Sequence, residues 1–278
     1  MTGSLVRGTL PGFGIAAGGS IFFISLVLLA PMSALVVELS HLTWSQYLGI
    51  LTNPQTVAAF RVTLLSAALA SVIDAVFGLL LAWILVRYRF PGRRVLDALI
   101  DLPFALPTAV AGLTLASLFA TNGWYGALLL PFGIKVSYTW LGIVVAMAFT
   151  SLPFVVRTIE PVLEDVGKHA EEAAVTLGAT PSEVFRRVIL PEIMPAVTVG
   201  TVLSFCRSLG EFGAVIFIAG NIAFETEVLS LMIFTRLQEF DYPAASAVAS
   251  VVLIVSLVLF AGVSLFEKRW AGRLGGAA

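Results

Sequence analysis

The strongest constraint on this chain is that six of its stretches are apolar over the length needed to cross a bilayer. About 20 apolar residues in a helix cover about 30 Å of hydrocarbon. Runs of that order lie at about Phe13 to Val37, Val57 to Val86, Val95 to Ala120, Tyr138 to Val156, Ala196 to Ala219 and Ala244 to Phe266. Backbone placed in hydrocarbon must pair its own N–H and C=O groups, and runs this long do so as α-helices. The 278 residues are 59% hydrophobic and only 12% charged, with a mean hydropathy of +1.00. Together these values exclude an ordinary soluble protein. They point to an all-α integral membrane chain, a single membrane domain over residues 1–278.

Several function classes drop out on the same reading. A net charge of −1 gives no sign of nucleic-acid binding. There is no Gly-x4-Gly-Lys-Ser/Thr phosphate loop to bind ATP. His41 and His169 fall in different segments and Cys206 is alone, so neither a metal set nor an intrachain disulfide is available. No Ser-His-Asp arrangement can be argued, so no catalytic residue is assigned. The first apolar run is full length and lacks a clean small-residue cleavage site, which reads as a span and not a cleaved leader.

Local features sharpen the spans. Pro31 is placed to kink the first or end its regular part. His41 to Pro54 reads as a short polar connection carrying the interfacial aromatics Trp44 and Tyr47. The second run is longer than needed, which puts Arg61 at an interface and Asp74 near mid-membrane. Arg87, Arg89, Arg93 and Arg94 make a basic turn before the third run. Pro103 and Pro107 break that run, a break tolerated only where protein or a cavity supplies partners for the freed carbonyls. Asn221 to Asp241 reads as a second polar connection.

Orientation follows from the lysines and arginines. With the N-terminus inside, the cytoplasmic segments hold twelve and the external connections only Lys135 and Arg236. Six spans with both termini cytoplasmic satisfy the positive-inside rule. Arg93, Ser182 and Arg273 are then internal, and Asn122 and Glu225 external.

The longest polar interruption, Glu171 to Pro195, is then cytoplasmic. Leu163, Val166, Ala170, Ala173, Ala174 and Leu177 recur at helical steps as one apolar stripe. Gly178 follows where a left-handed cap is wanted. Thr180-Pro181-Ser182-Glu183 restarts a helix as an N-cap, an N1 proline and a capping box. Val184, Val188 and Phe185 face inward, Arg186 and Arg187 outward, and Pro191 and Pro195 mark an end or a kink. The plain reading is two short helices bent at a glycine, lying on a membrane surface.

Charges inside spans are costly and are functional candidates by default. Arg207 and Glu211 stand four apart on the fifth run, on one face and able to pair. They read either as part of a translocation path or as a pair fixing helix packing. Gly210, Gly213 and Gly220, with Pro107 and Thr108 after the break in the third run, fit the same two readings. Asp74 and Asp101 read as buried hydrogen-bonding or interface residues.

Glu172-Ala173-Ala174, Gly178 and Val188-Ile189-Leu190-Pro191, at their spacing, resemble the EAA loop of ABC importer permeases, with Val188 where isoleucine is usual. Ser208 to Ala214, SLGEFGA, looks like the fifth-helix signature of sulfate and molybdate permeases. The stretches from Asp101 (DLPFALPTAVAGLTLASLF), Ala146 (AMAFTSLPFVVRT) and Ser230 (SLMIFTRLQEFDYPAASAVAS) resemble the T-type sulfate/thiosulfate permeases. The resemblance implies a type I importer permease with its core over residues 57–266 and a cytoplasmic coupling loop over 160–195. It implies Glu172, Ala173, Ala174, Gly178, Val188, Leu190 and Pro191 as the elements that dock on an ATPase. It further implies a second, homologous permease, two ATPase subunits that bind ATP and Mg, a periplasmic sulfate/thiosulfate-binding protein, membrane lipid around the helices and a bacterial inner-membrane location. A molybdate or tungstate permease keeps two of these motifs. An ATP-independent secondary transporter or a membrane-anchored signalling component is the other class, and it has no use for a docking lever.

Overall fold

The computed structural model describes residues 13–166 and 168–274. It consists of helices α1 (Phe13–Ser40), α2 (Trp44–Leu51), α3 (Pro54–Arg87), α4 (Arg93–Ile100), α5 (Thr108–Leu118), α6 (Trp140–Asp165), α7 (Lys168–Thr176), α8 (Pro181–Leu209), α9 (Leu229–Gln238) and α10 (Tyr242–Leu274). Shorter helices occur at Leu102–Ala105, Trp124–Leu129 and Val215–Ile218, with a 3-10 turn at Leu130–Phe132. Among the described residues, five helices are long and apolar enough to cross a membrane: α1, α3, α6, α8 and the Tyr242–Gly262 part of α10. The third apolar stretch is broken, as its prolines require. Its pieces are α4, the turn at Leu102–Ala105, and the short apolar α5 that restarts after Pro107.

The core is built where α3, α6 and α8 meet, and the side chains there are small. The buried positions of α3 include Ala59, Thr63, Ser66, Ala67, Ala70, Ser71, Gly78 and Ala82, spaced by three and four. Its large apolar residues Val57, Leu65, Val72, Val76 and Leu80 are exposed. This is the reverse of a soluble helix. Lipid tails are as apolar as leucine, so helix association rests on close backbone approach and dispersion rather than on burying large side chains. Val155 of α6 fits between two glycines: a Cβ at Gly78 would lie 2.7 Å from Val155 Cγ1, and one at Gly200 would lie 3.0 Å from Val155 Cα.

Two buried clusters extend this seam. Toward the Pro54 end of α3, Ala67 and Ala70 pack with Ile143, Met147, Leu209, Val215 and Ile218. Toward the Arg87 end, Ala82 and Leu85 pack with Ile100, Ile159, Leu163, Val184 and Ile193.

For Pro31, Pro191 and Pro195 the sequence leaves an end or a kink open, and the structure excludes the end. Neither Pro31 nor Pro191 ends its helix. Each is preceded by a π-helical turn, Ser25–Leu29 in α1 and Phe185–Ile189 in α8. In each case the next residue's N–H bonds five residues back, Ala30 to Ser25 O and Leu190 to Phe185 O. A proline lacks the donor for the carbonyl four residues earlier and its ring crowds that group. A wider turn just before it accommodates both faults and lets the helix continue. Pro195 also lies inside α8.

Three further differences concern helix bounds. The His41 to Pro54 connection contains α2, started by a capping box between Thr43 and Gln46. The Asn221 to Asp241 connection contains α9. The fifth span stops at Leu209 and not near Ala219; the chain turns through Gly210 and forms the short Val215–Ile218 helix. That turn packs on α5, where a Cβ at Gly112 would lie 2.3 Å from Ala214 O.

Gly78→Ala should destabilise the chain by about 1–3 kcal/mol through overpacking against Val155, read as a lower unfolding temperature in detergent. Adding Val155→Ala should recover part of that loss. If the double variant is as unstable as the single one, the contact with Val155 is not its cause.

Candidate functional site

The bent pair forms as its residues dictate. Gly178 has φ +87°. Ala179 N–H donates to Ala174 O at 3.0 Å and Gly178 N–H to Val175 O at 2.9 Å, the two bonds that close a helix on a left-handed residue. A Cβ at Gly178 would meet nothing within 4 Å, so glycine is required for backbone angle and not for room. Thr180 then caps α8: its N–H and hydroxyl donate to Glu183 Oε2 at 3.0 and 2.9 Å, and its oxygen accepts from Glu183 N–H.

The apolar stripe, however, is not one helix. α6 ends at Asp165, leaving Leu163 and Val166 buried while Ala170 and Ala173 are exposed. Leu177 is 89% exposed and Val175 58%. Glu172, Ala173, Gly178 and Pro191 are exposed, whereas Ala174, Val188 and Leu190 are half-buried against the chain. The candidate loop residues therefore split into an outward set and a set that anchors the loop.

Anchors that sequence reasoning missed lie on other helices. Arg87, the last residue of α3, pairs with Glu171 at 2.5 Å, and both side chains are largely buried. Its guanidinium sits 5.6 Å from the centroid of Trp83, and Trp83 meets Phe185 edge to face at 5.3 Å. Arg157 of α6 grips Asp101 through two nitrogens at 2.9 and 2.7 Å, Asp97 at 2.7 Å and Glu160 at 2.5 Å. No local pattern announces the contacts with Glu171, Asp97 and Asp101, because each joins segments more than fifty residues apart.

At the other end of α8, Arg207 Nη1 lies 2.7 Å from Glu211 Oε2, with Glu211 1% exposed. The pair forms, although Glu211 lies beyond the helix end and not on it. Its other carboxylate oxygen accepts from Ala214 N–H at 2.9 Å, and Ser230 Oγ donates to its backbone oxygen at 2.7 Å. Glu211 thus fastens the turn after α8 as well as balancing Arg207.

Thr108 joins this region, since a Cβ at Gly213 would lie 2.0 Å from its hydroxyl. Pro107 precedes it as the residue that starts α5. Gly210 meets no such crowding; its nearest atom would be Arg207 O at 4.0 Å. Gly220 is required for its φ of +78°.

Asp74 is 1% exposed at the crossing of α3, α6 and α8. Ser204 Oγ donates to its Oδ2 at 2.7 Å. Ser151 Oγ lies 2.6 Å from that same oxygen and 2.6 Å from Met147 O, and Ser208 Oγ donates to Ser151 at 3.2 Å. Asp74 is a buried hydrogen-bonding residue, as its position suggests, and Asp101 is an interface residue held by Arg157.

One continuous helix therefore joins the loop to the charge pair. From Pro181 to Arg207 the rise is about 40 Å at 1.5 Å per residue.

A family model described as binding-protein-dependent transport system inner membrane component matches residues 74–272. The chain is 65% identical to the sulfate transport system permease protein CysT of Salmonella typhimurium, over 97% of this chain and 98% of that protein. It is 64% identical to the protein of the same name from Escherichia coli over the same shares. The Synechocystis protein of that name is 44% identical over 91% of this chain and 88% of its own length. Among solved structures, the fold is similar to a bacterial ABC transporter involved in the import of alginate. That match has a TM-score of 0.74 at 18% identity, over 93% of this chain and 96% of that one. An inward-facing methionine ABC transporter matches at TM-score 0.58 and 18% identity, over 76% and 94%. At such identities the two structures speak for the fold alone.

Arg207→Gln should be strongly destabilising, by about 3–5 kcal/mol, because it leaves the Glu211 carboxylate buried and unpaired. Glu211→Gln should also be damaging, since its amide would face Arg207. In the double variant R207Q/E211Q, the amide at position 211 can still accept from Ala214 N–H and donate to the amide at position 207. Unfolding temperature and activity should therefore recover in part. A double variant no better than the worse single one, at normal membrane levels, would remove the compensation argument.

Proposed function

The chain belongs to the family of binding-protein-dependent transport system inner membrane components, and within it to the T-type sulfate permeases; we propose on that footing that it is a permease subunit of an ATP-driven importer that carries sulfate, and thiosulfate with it, into the cytoplasm. The observation that carries this reading is 65% identity along 97% of the chain, which takes in every motif on which the sequence reading rests. The subunit itself performs no ATP hydrolysis.

In this proposal the five long helices and the broken α4–α5 stretch make six spans, with both termini in the cytoplasm of a bacterial inner membrane. The type I core covers residues 57–266, and residues 160–195 form the coupling loop. The loop's outward set, Glu172, Ala173 and Gly178 with the exposed Val175 and Leu177, faces an ATPase subunit. Ala174, Val188 and Leu190 hold the loop to the chain, and the exposed Pro191 follows the π-helical turn. A homologous second permease completes the path, two ATPase subunits supply the work, and a periplasmic sulfate/thiosulfate-binding protein delivers the anion.

The mechanism follows from α8. ATP closure of the ATPase pair displaces the loop, Schellman cap and capping box keep it rigid, and α8 carries the displacement about 40 Å to the turn that holds Glu211. Arg207 and Glu211 move as a neutral unit, so the local potential stays level while the helices rearrange.

Labelled sulfate, thiosulfate and molybdate offered to the reconstituted complex test this directly. Sulfate and thiosulfate should accumulate with ATP, and molybdate should neither accumulate nor compete. Preferential molybdate uptake would overturn the substrate reading, and uptake without ATP would overturn the class. Gly178→Val should lower bound ATPase and uptake together by forcing a β-branched residue to φ +87°. Normal ATPase content with normal uptake in that variant would remove the loop from the coupling path.

A further inference from the structure

The basic turn between α3 and α4 takes no part in the mechanism above. Arg87 is paired with Glu171, but Arg89, Arg93 and Arg94 form no ion pair or side-chain hydrogen bond among the described residues. All three line one cleft of about 350 Å³ together with Phe90, Gly92 and Val95. Gly92, at φ +90°, reverses the chain so that residues before and after it face the same space.

The helix that follows is two-faced. Asp97 and Asp101, four apart, turn to Arg157, while Leu96 and Ile100 pack into the core. Val95 and Leu99, also four apart, are 62% and 56% exposed. Val95 and Asp97 are two positions apart, which sets them on nearly opposite sides of a helix. The carboxylates of α4 are therefore engaged by Arg157, and the side that carries Val95 and Leu99 presents apolar surface next to three unpaired guanidinium groups. Tyr88, exposed at the end of α3, is an aromatic of the type that sits at a headgroup boundary.

We infer that this turn is a binding site for the phosphodiester headgroup of an anionic phospholipid, with Arg89, Arg93 and Arg94 holding the phosphate and Val95 and Leu99 lying against its acyl chains. A guanidinium fork matches phosphate oxygens in pairs. Three cations at the end of a membrane span with an adjoining apolar helix face fit a lipid better than a soluble anion, which has no use for Val95 and Leu99. The inference rests on the cytoplasmic placement of the turn. There the site fixes the depth of α4, and through Arg157 the depth of α6, whose end leads into the coupling loop.

The test uses the complete complex, extracted from vesicles of equal parts phosphatidylcholine and phosphatidylglycerol and weighed intact by native mass spectrometry. The parent complex should retain phosphatidylglycerol in excess over phosphatidylcholine. The excess should fall about fivefold for each arginine removed, hence almost completely in R89Q/R93Q/R94Q, while R186Q/R187Q, also exposed arginines, keeps it. Should the triple variant fail to insert, Arg89→Gln and Arg94→Gln singly should each show that same step. Unchanged phosphatidylglycerol retention overturns the site. So does displacement of the lipid by inorganic phosphate, which would make it a soluble-anion site. Loss of the ATPase subunit with lipid retention intact would reassign the turn to a protein contact. Labelling of Arg93→Cys, in a chain with Cys206 replaced, by an impermeant thiol reagent from outside would sink the topology instead, separately from the lipid readout.

Discussion

Everything else in this structure depends on how closely α3, α6 and α8 can approach. In hydrocarbon there is no water to drive large apolar side chains together, so the contact is made by small residues that let backbones come near. Gly78 and Gly200 on either side of Val155, and Ala67, Ala70 and Ala146 in the same seam, are fully or nearly fully buried. That closeness also makes the polar content of the seam tolerable. Asp74 can be buried only because Ser151 and Ser204 reach it from two neighbouring helices at 2.6 and 2.7 Å. A looser seam would leave a carboxyl group in hydrocarbon without partners, at a cost of about 2.5–3.5 kcal/mol or more.

Rigidity at the two ends of α8 follows from different chemistry. At the loop end it is backbone geometry: a left-handed glycine, a capping box and an N1 proline leave few rotatable alternatives. At the far end it is charge, since Glu211 joins Arg207, the Ala214 N–H and, through its carbonyl, Ser230. Between them lies the one irregular stretch, the π-helical turn at Phe185–Ile189. It sits where α8 leaves the loop and enters the buried cluster through Ile189 and Ile193. Proline chemistry sets that place at Pro191, and in the proposed mechanism it is the one defined point at which α8 can deform between the loop and the charge pair.

What is legible from sequence is what depends on neighbours in sequence. Apolar run lengths mark the long helices, paired prolines mark the break before Thr108, and the Gly178 and Thr180 caps are recognisable because each rests on residues within five positions. The π-helical turns are not legible, because a proline in a helix signals trouble without saying whether the chain ends, kinks or widens. Sequence carries the fifth span too far, past Leu209, since Val215–Ile218 is as apolar as a span; the turn that follows the helix packs on Gly112, a contact about a hundred residues away. The Arg87–Glu171 and Arg157–Asp101 pairs are invisible for the same reason. Sequence near them shows charges at span ends, which the positive-inside rule already accounts for.

A dianion that must cross such a chain poses an electrostatic problem that the placement of cations addresses. A buried, unpaired arginine would attract sulfate strongly as water is excluded and release it slowly. In α3, α6 and α8 each half-buried arginine is matched: Arg87 by Glu171, Arg207 by Glu211, and Arg157 by three carboxylates. Arg61 is exposed, lining an apolar groove of about 760 Å³ at the Pro54 end of α3 with Trp140 and Phe224. Conduction needs binding strong enough to admit and weak enough to release. A chain whose interior charges are cancelled locally leaves that binding to dipoles, hydroxyls and backbone N–H groups, whose attraction falls off quickly with distance. On the proposed function, the carboxylate beside Arg207 matters to the passage of an anion as much as the arginine does, because removing either member leaves a full charge at that point.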